Sequence, residues 1–110
     1  MNQRLHCYQL LVHVAKDMPG FFSRMPKGEG YLIDQLKRAM ISSILNLAEG
    51  NGRHSQRERN RFFDISLASI SEVMGGIDTA LAFGFCNISQ SQGMLHDLRK
   101  AYNMIRKLKK

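Results

Sequence analysis

Residues 55–84 read SQRERNRFFDISLASISEVMGGIDTALAFG, and this stretch decides the fold. Phe63, Leu67, Ile70, Met74, Ile77 and Leu81 recur at alternating spacings of four and three, the period of one buried face of an α-helix. Ser55-Gln56-Arg57-Glu58 ahead of the run has a capping-box pattern: the Ser55 hydroxyl is placed to accept from the Glu58 amide while Glu58 reaches back. Gly84 supplies a stop. At 1.5 Å per residue the segment makes a rod of about 45 Å.

Three further helical patterns flank this rod. Leu5, Tyr8, Val12 and Ala15 give a stripe over about 3–17, and Pro19, Gly20, Pro26, Gly28 and Gly30 then argue against helix from Met18 to Glu29. Ile33, Leu36, Met40, Ile44 and Leu47 give a second helix over about 31–49, which Gly50-Asn51-Gly52 ends by offering left-handed backbone positions. Met94, Leu98, Ala101, Ile105 and Leu108 give a fourth over about 90–108, capped by Ser89-Gln90-Ser91-Gln92. No stretch has strand period. Short connections after the second and third helices make neighbours antiparallel, so residues 1–110 predict one all-α domain, an up-down-up-down four-helix bundle. About 65% of the unfolded surface of such a chain is buried on folding, enough for one core.

The third helix carries a second row, Phe62, Ser66, Ser69, Val73, Gly76 and Ala80, about 100° round from the first. Its small residues allow close approach of another helix, and the expected reading is an oligomer interface. A long central helix touching two partners inside one protomer is the alternative.

The net charge is +7 and is unevenly placed. Arg53, Arg57, Arg59 and Arg61 form one basic block with His54. Arg99, Lys100, Arg106, Lys107, Lys109 and Lys110 form another. Residues 62–98 between them contain no Lys or Arg and four acids. Guanidinium and ammonium groups so concentrated suit a polyanion, because each one near a phosphate releases condensed counterions. Arg53, Arg57, Arg59, Arg61, Arg99, Lys100, Arg106 and Lys107 are the candidate nucleic-acid contacts.

Catalytic patterns are weak by comparison. Glu49 lies near a helix C-terminus, where the dipole disfavours an acid, so it calls for a compensating partner: Arg53, Arg61 or the amides at Ser55. No second carboxylate or nucleophile is spaced to work with it. Gly50-Asn51-Gly52 lacks the strand and the spacing of a phosphate-cradling loop, and capping explains it better. Glu49, Gly50, Gly52, Ser55 and Glu58 are therefore structural. His6, Cys7 and His13 lack metal-ligand spacing, His54 and His96 stand alone, and the seven methionines read as packing. No cofactor is expected. Cys7 and Cys86 form no CxxC pair and suit free thiols in a reducing cytoplasm. The N-terminal stretch does not read as a signal peptide, and Thr79–His96 is too polar to span a membrane.

Residues 43–53, SILNLAEGNGR, together with Ser55, Glu58, Arg61, Phe62, Phe63 and Ala82-Phe83-Gly84-Phe85, resemble the four-helix-bundle proteins encoded in intervening sequences of bacterial 23S rRNA genes. Met25-Pro26-Lys27 and residues 34–39, DQLKRA, fit as well, so the resemblance spans nearly the whole chain. It implies a homopentameric ring. The accessory variability determinant proteins of diversity-generating retroelements are similar in fold. Those are basic pentamers that associate with a reverse transcriptase and nucleic acid. Tyr8 stands where relatives often carry Trp, and Ser69, Gly75 and Gly76 where they often carry bulkier or acidic residues. The expected function is a non-enzymatic homo-oligomeric scaffold whose basic surface binds RNA, DNA or a nucleic-acid enzyme. A protein-protein adaptor without a nucleic-acid role is the competing expectation.

Overall fold

A computed structural model describes residues 2–110. It contains four helices, α1 (Gln3–Ser23), α2 (Gly30–Gly52), α3 (Gln56–Ala82) and α4 (Ile88–Leu108), and no strand among the described residues. The chain is a four-helix bundle, 45 × 25 × 19 Å. Each helix packs against two neighbours, α1 on α2 and α4, and α3 on α2 and α4. Across α2 and α3, Leu36 faces Gly76, Ser42 faces Ser69, Ser43 faces Ser66 and Gly50 faces Phe63, a descending register that makes the pair antiparallel.

The α2–α3 pair is the tightest, and its closeness explains the second row on α3. Ser66 is fully buried and its hydroxyl donates to the Ser43 carbonyl at 2.7 Å, while the Ser42 and Ser69 hydroxyls pair at 2.7 Å. Val73 and Ala80 are fully buried. A Cβ on Gly76 would lie 2.4 Å from Leu36 Cδ2. The expected oligomer interface is thus corrected. Ser66, Ser69, Val73, Gly76 and Ala80 are covered within one protomer, and only Phe62, half-buried, keeps an outward share. Small residues there serve close approach within the bundle, each buried hydroxyl finding an acceptor as burial requires.

Packing also overrides two local expectations. α1 runs through Pro19 and Gly20 to Ser23, because Cys7, Leu11, Val14, Met18 and Phe21 continue one buried row that Met25 completes just beyond the helix. Pro19 and Gly20 lie on the exposed side, so the missing Pro19 amide costs one hydrogen bond and little packing. The buried row sits one residue round from the expected Leu5, Tyr8, Val12 and Ala15, which are exposed or half-buried. α1 is apolar on two faces, and periodicity alone does not choose between them.

The ends are chemically distinct. α3 stops as expected, with Gly84 at φ +76° and the Phe85 amide donating to the Ala80 carbonyl at 2.8 Å. α4 begins two residues earlier than expected. Asn87, rather than the Ser89 segment, forms the capping box with Gln90. α2 continues through Gly50 and Gly52, neither of which takes a positive φ, and ends at extended Arg53. Gly50 is small for another reason: a Cβ there would stand 2.6 Å from the Phe63 ring. α3 is long and apolar enough to cross a membrane by length and composition, and here its Phe63, Ile70, Val73 and Ile77 fill the bundle core.

Candidate nucleic-acid interface

Antiparallel packing brings the start of α3 and the end of α4 to one pole of the bundle. Gln56 Nε2 donates to the Leu108 carbonyl at 3.2 Å, and Asn60 Nδ2 donates to the Lys110 carbonyl at 2.8 Å. Lys109 pairs with Asp64. The end of α2 and the start of α1 share this pole, where Arg4, Leu5 and Tyr8 form a hollow with Ala48 and Asn51. The two basic blocks therefore converge within one protomer.

Local chemistry shapes the pole. Glu49 Oε2 accepts from Arg53 Nη2 at 2.8 Å, so Arg53 is the partner that offsets an acid near the α2 C-terminus. The Arg53 and Arg61 guanidiniums lie 4.9 and 5.3 Å from the centre of the Phe62 ring, within cation–π range. Ser55 Oγ accepts from the Glu58 amide at 3.1 Å, the first half of the expected capping box. The Glu58 carboxylate turns instead toward Arg61, 3.6 Å away.

The candidate cations separate into four groups. Arg57, Arg106 and Lys107 are exposed and, among the described residues, lie within ion-pair distance of no carboxylate. Arg53 and Arg61 are exposed but already paired. Arg59 is half-buried and turned inward: its Nη1 donates to the Arg53 and His54 carbonyls, both at 2.9 Å, and its Nη2 to Gln56 Oε1 at 3.2 Å. Arg59 thus clamps the α2–α3 turn, a correction to its expected phosphate role. Arg99 and Lys100 are exposed but lie up α4, about 10 Å along the axis from Arg106.

Arg4, Gln56 and Asn60 also belong to this pole and were not singled out from sequence. The i, i+4 spacing of Gln56 and Asn60, whose side chains bond at 2.7 Å, is a weak local signal for them. Arg4 emerges only from topology. Among the described residues, no three His, Cys, Asp or Glu side chains lie close enough to hold a metal ion. Cys7 is fully buried, and burial pushes its thiol up to about 11. Cys86, half-buried, is also raised by burial.

Residues 3–107 match the family model described as 23S rRNA-intervening sequence protein. The chain belongs to that family. Among curated proteins none matches it. In this chain, the residues that carry the resemblance build the α2–α3 turn. Asn46 Nδ2 donates to the Ser42 carbonyl at 2.9 Å, Glu49 holds Arg53, Gly50 admits Phe63, and Ser55 caps α3. The motif is thus accounted for by the mechanics of one turn, with Phe62 and its two arginines on the outside.

Proposed function

We propose that this protein is a non-enzymatic, cytoplasmic, homo-oligomeric scaffold, pentameric as the family resemblance implies, whose basic pole binds nucleic-acid phosphates. The observation that carries this reading is the convergence of the two basic blocks, fastened by the bonds from Gln56 and Asn60 to the last α4 carbonyls. Arg57, Arg106 and Lys107 leave the pole with cationic donors that no carboxylate neutralises among the described residues. Guanidinium forks match phosphate oxygens, while contacts to the sugar-phosphate backbone carry no base information, so binding is sequence-tolerant and salt-dependent. The family description links these proteins to 23S rRNA, which makes RNA the first ligand to test. A reverse transcriptase or other nucleic-acid enzyme is a partner class that the same pole would recruit through shared nucleic acid.

The experiment is titration of duplex RNA and duplex DNA of matched sequence at several salt concentrations. The logarithm of affinity should fall linearly with the logarithm of salt, and Arg57→Glu with Arg106→Glu and Lys107→Glu should flatten that slope. Absence of binding at about 50 mM salt, where each phosphate contact counts most, would remove the proposal and leave a protein-protein adaptor as the better account.

A further inference from the structure

At the basic pole, the start of α1 and the end of α2 frame a hollow of about 390 Å³, lined by Arg4, Leu5, Tyr8, Ala48 and Asn51. That volume lies in the range of small-ligand pockets, roughly 300–1,000 Å³. Three kinds of chemistry meet there. Leu5 and Ala48 make an apolar wall, and Leu5 is 50% exposed although large. Tyr8, half-buried, adds an aromatic ring. Arg4 and Asn51 are polar, and the fold makes little use of either. Among the described residues, Arg4 lies within ion-pair distance of no carboxylate. Asn51 Oδ1 is buried and has no hydrogen-bond partner. Buried polar atoms are ordinarily held by such a bond. Here no bond to Oδ1 fixes which end of the carboxamide faces the hollow, and the torsion that exchanges the two ends is broad and nearly two-fold.

We infer that this hollow takes one unpaired nucleobase of an RNA strand whose phosphates lie on the basic pole. The inference rests on the phosphate-binding reading above and adds a base site to it. A base has apolar faces and a polar edge. Tyr8 and Leu5 suit the face, since unpaired bases are held by stacking on aromatic side chains. Asn51 suits the edge, because a carboxamide both donates and accepts as base edges do. Arg4 brings a cation for the phosphate of the same nucleotide. A bare phosphate would leave the apolar wall unused, and a purely apolar ligand would strip water from Arg4 and Asn51 without replacing it. A base within a duplex is stacked and paired, so it does not enter. The hollow therefore selects single strands.

The test compares an unstructured RNA strand of about 12 nucleotides, long enough to cross one protein site, with the same strand annealed to its complement. Phosphate contacts alone favour the duplex, whose charge is denser, so tighter binding of the single strand requires a base contact. The expected result is a single strand bound about fivefold or more tighter than the duplex at equal salt. Ala48→Leu fills the hollow from an exposed helical position without adding charge. It should abolish that margin while leaving duplex affinity and its salt slope within about twofold of wild type, and Tyr8→Leu should do the same. Circular dichroism checks that both remain helical, and Ala48→Leu decides the matter if Tyr8→Leu does not fold. Equal affinity for the two ligands, or a margin that survives Ala48→Leu, overturns the base site and spares the phosphate reading. No binding of either ligand at about 50 mM salt overturns the phosphate reading, and the base site with it.

Discussion

Gly50 and Gly75 make a paired experiment on what holds α2 against α3. Both are helical glycines, so Gly→Ala at either lowers the backbone entropy lost on folding and adds at most about 1 kcal/mol of helix propensity. Their surroundings differ. A Cβ on Gly75 meets nothing within 4 Å. A Cβ on Gly50 would lie 2.6 and 2.7 Å from two Phe63 ring carbons and 3.3 Å from the Arg59 carbonyl oxygen. Ordinary contact needs about 3.5 Å or more, so the ring must retreat by about 1 Å. Phe63 is fully buried and rigid, and the overpacking cost is about 2–3 kcal/mol. After the propensity gain, Gly50→Ala should lose about 1–2 kcal/mol, while Gly75→Ala should gain about 0.5–1 kcal/mol. At about 4 °C per kcal/mol for a chain of this size, the two melting temperatures should separate by roughly 6–12 °C. Urea denaturation at one fixed protein concentration reads the difference, since the proposed assembly would make stability concentration-dependent. A Gly50→Ala protein as stable as Gly75→Ala would refute the claim that this glycine sets the α2–α3 distance.

Three other outcomes follow from single contacts. Asn87→Ala removes the Oδ1 that accepts from the Gln90 amide, keeps the bond from its own backbone amide to Gln90 Oε1, and should cost about 1 kcal/mol by denaturant titration, whereas Ser89→Ala should cost less than half of that. Ser66→Val leaves the buried Ser43 carbonyl without its hydroxyl donor and adds bulk at a fully buried site, for a loss of about 2–3 kcal/mol in the same assay. Because burial raises the folded Cys7 thiol above its unfolded value of 9.0 to about 11, its contribution is fully present below pH 9 and is lost as pH rises through 11. The stability difference between wild type and Cys7→Ala should therefore shrink across that window, and Cys86 should react with a thiol reagent well before Cys7 at pH 8.

The bundle was legible because α3 and α4 each carry an apolar row at one helical period, bounded by capping residues. What escaped the sequence has a physical source in each case. α1 carries two apolar faces, so a single-helix pattern does not say which face meets the core, and the choice made by α2 and α4 is one residue round from the expected stripe. Pro19 argues locally for a break, yet Met18 and Phe21 bury on the far side and hold the helix through it. Gly50 suggests a left-handed cap, but its missing Cβ answers a ring approaching from another helix. Of the basic residues, all are plain in the sequence as charges. Their sorting into free, paired and inward-turned groups depends on how the chain bends at the α2–α3 turn and which near neighbours each side chain then reaches. Arg59 is the clear instance, since both carbonyls that its Nη1 meets belong to the turn before α3.

The placement of the basic pole fixes the sign of a salt effect on the proposed assembly. Arg57, Arg106 and Lys107 sit at one end of the bundle, away from its long sides. In a closed ring made by side-to-side docking, rotation about the axis keeps every basic pole on the same rim. Repulsion between those poles then opposes assembly, and the Debye length of about 10 Å at 0.1 M salt means that added salt weakens it. An apolar contact between the sides of two copies would itself be insensitive to screening. Raising salt from about 50 to 500 mM should therefore strengthen self-association measured by light scattering, while it weakens RNA binding to the same protein. Ion pairs across the interface would make both processes weaken together, so a parallel loss of mass and of RNA binding would refute an apolar contact between copies. Duplex RNA at low salt should replace the added salt, since its phosphates neutralise the rim, and affinity for RNA should rise in turn with assembly because the coupling is reciprocal.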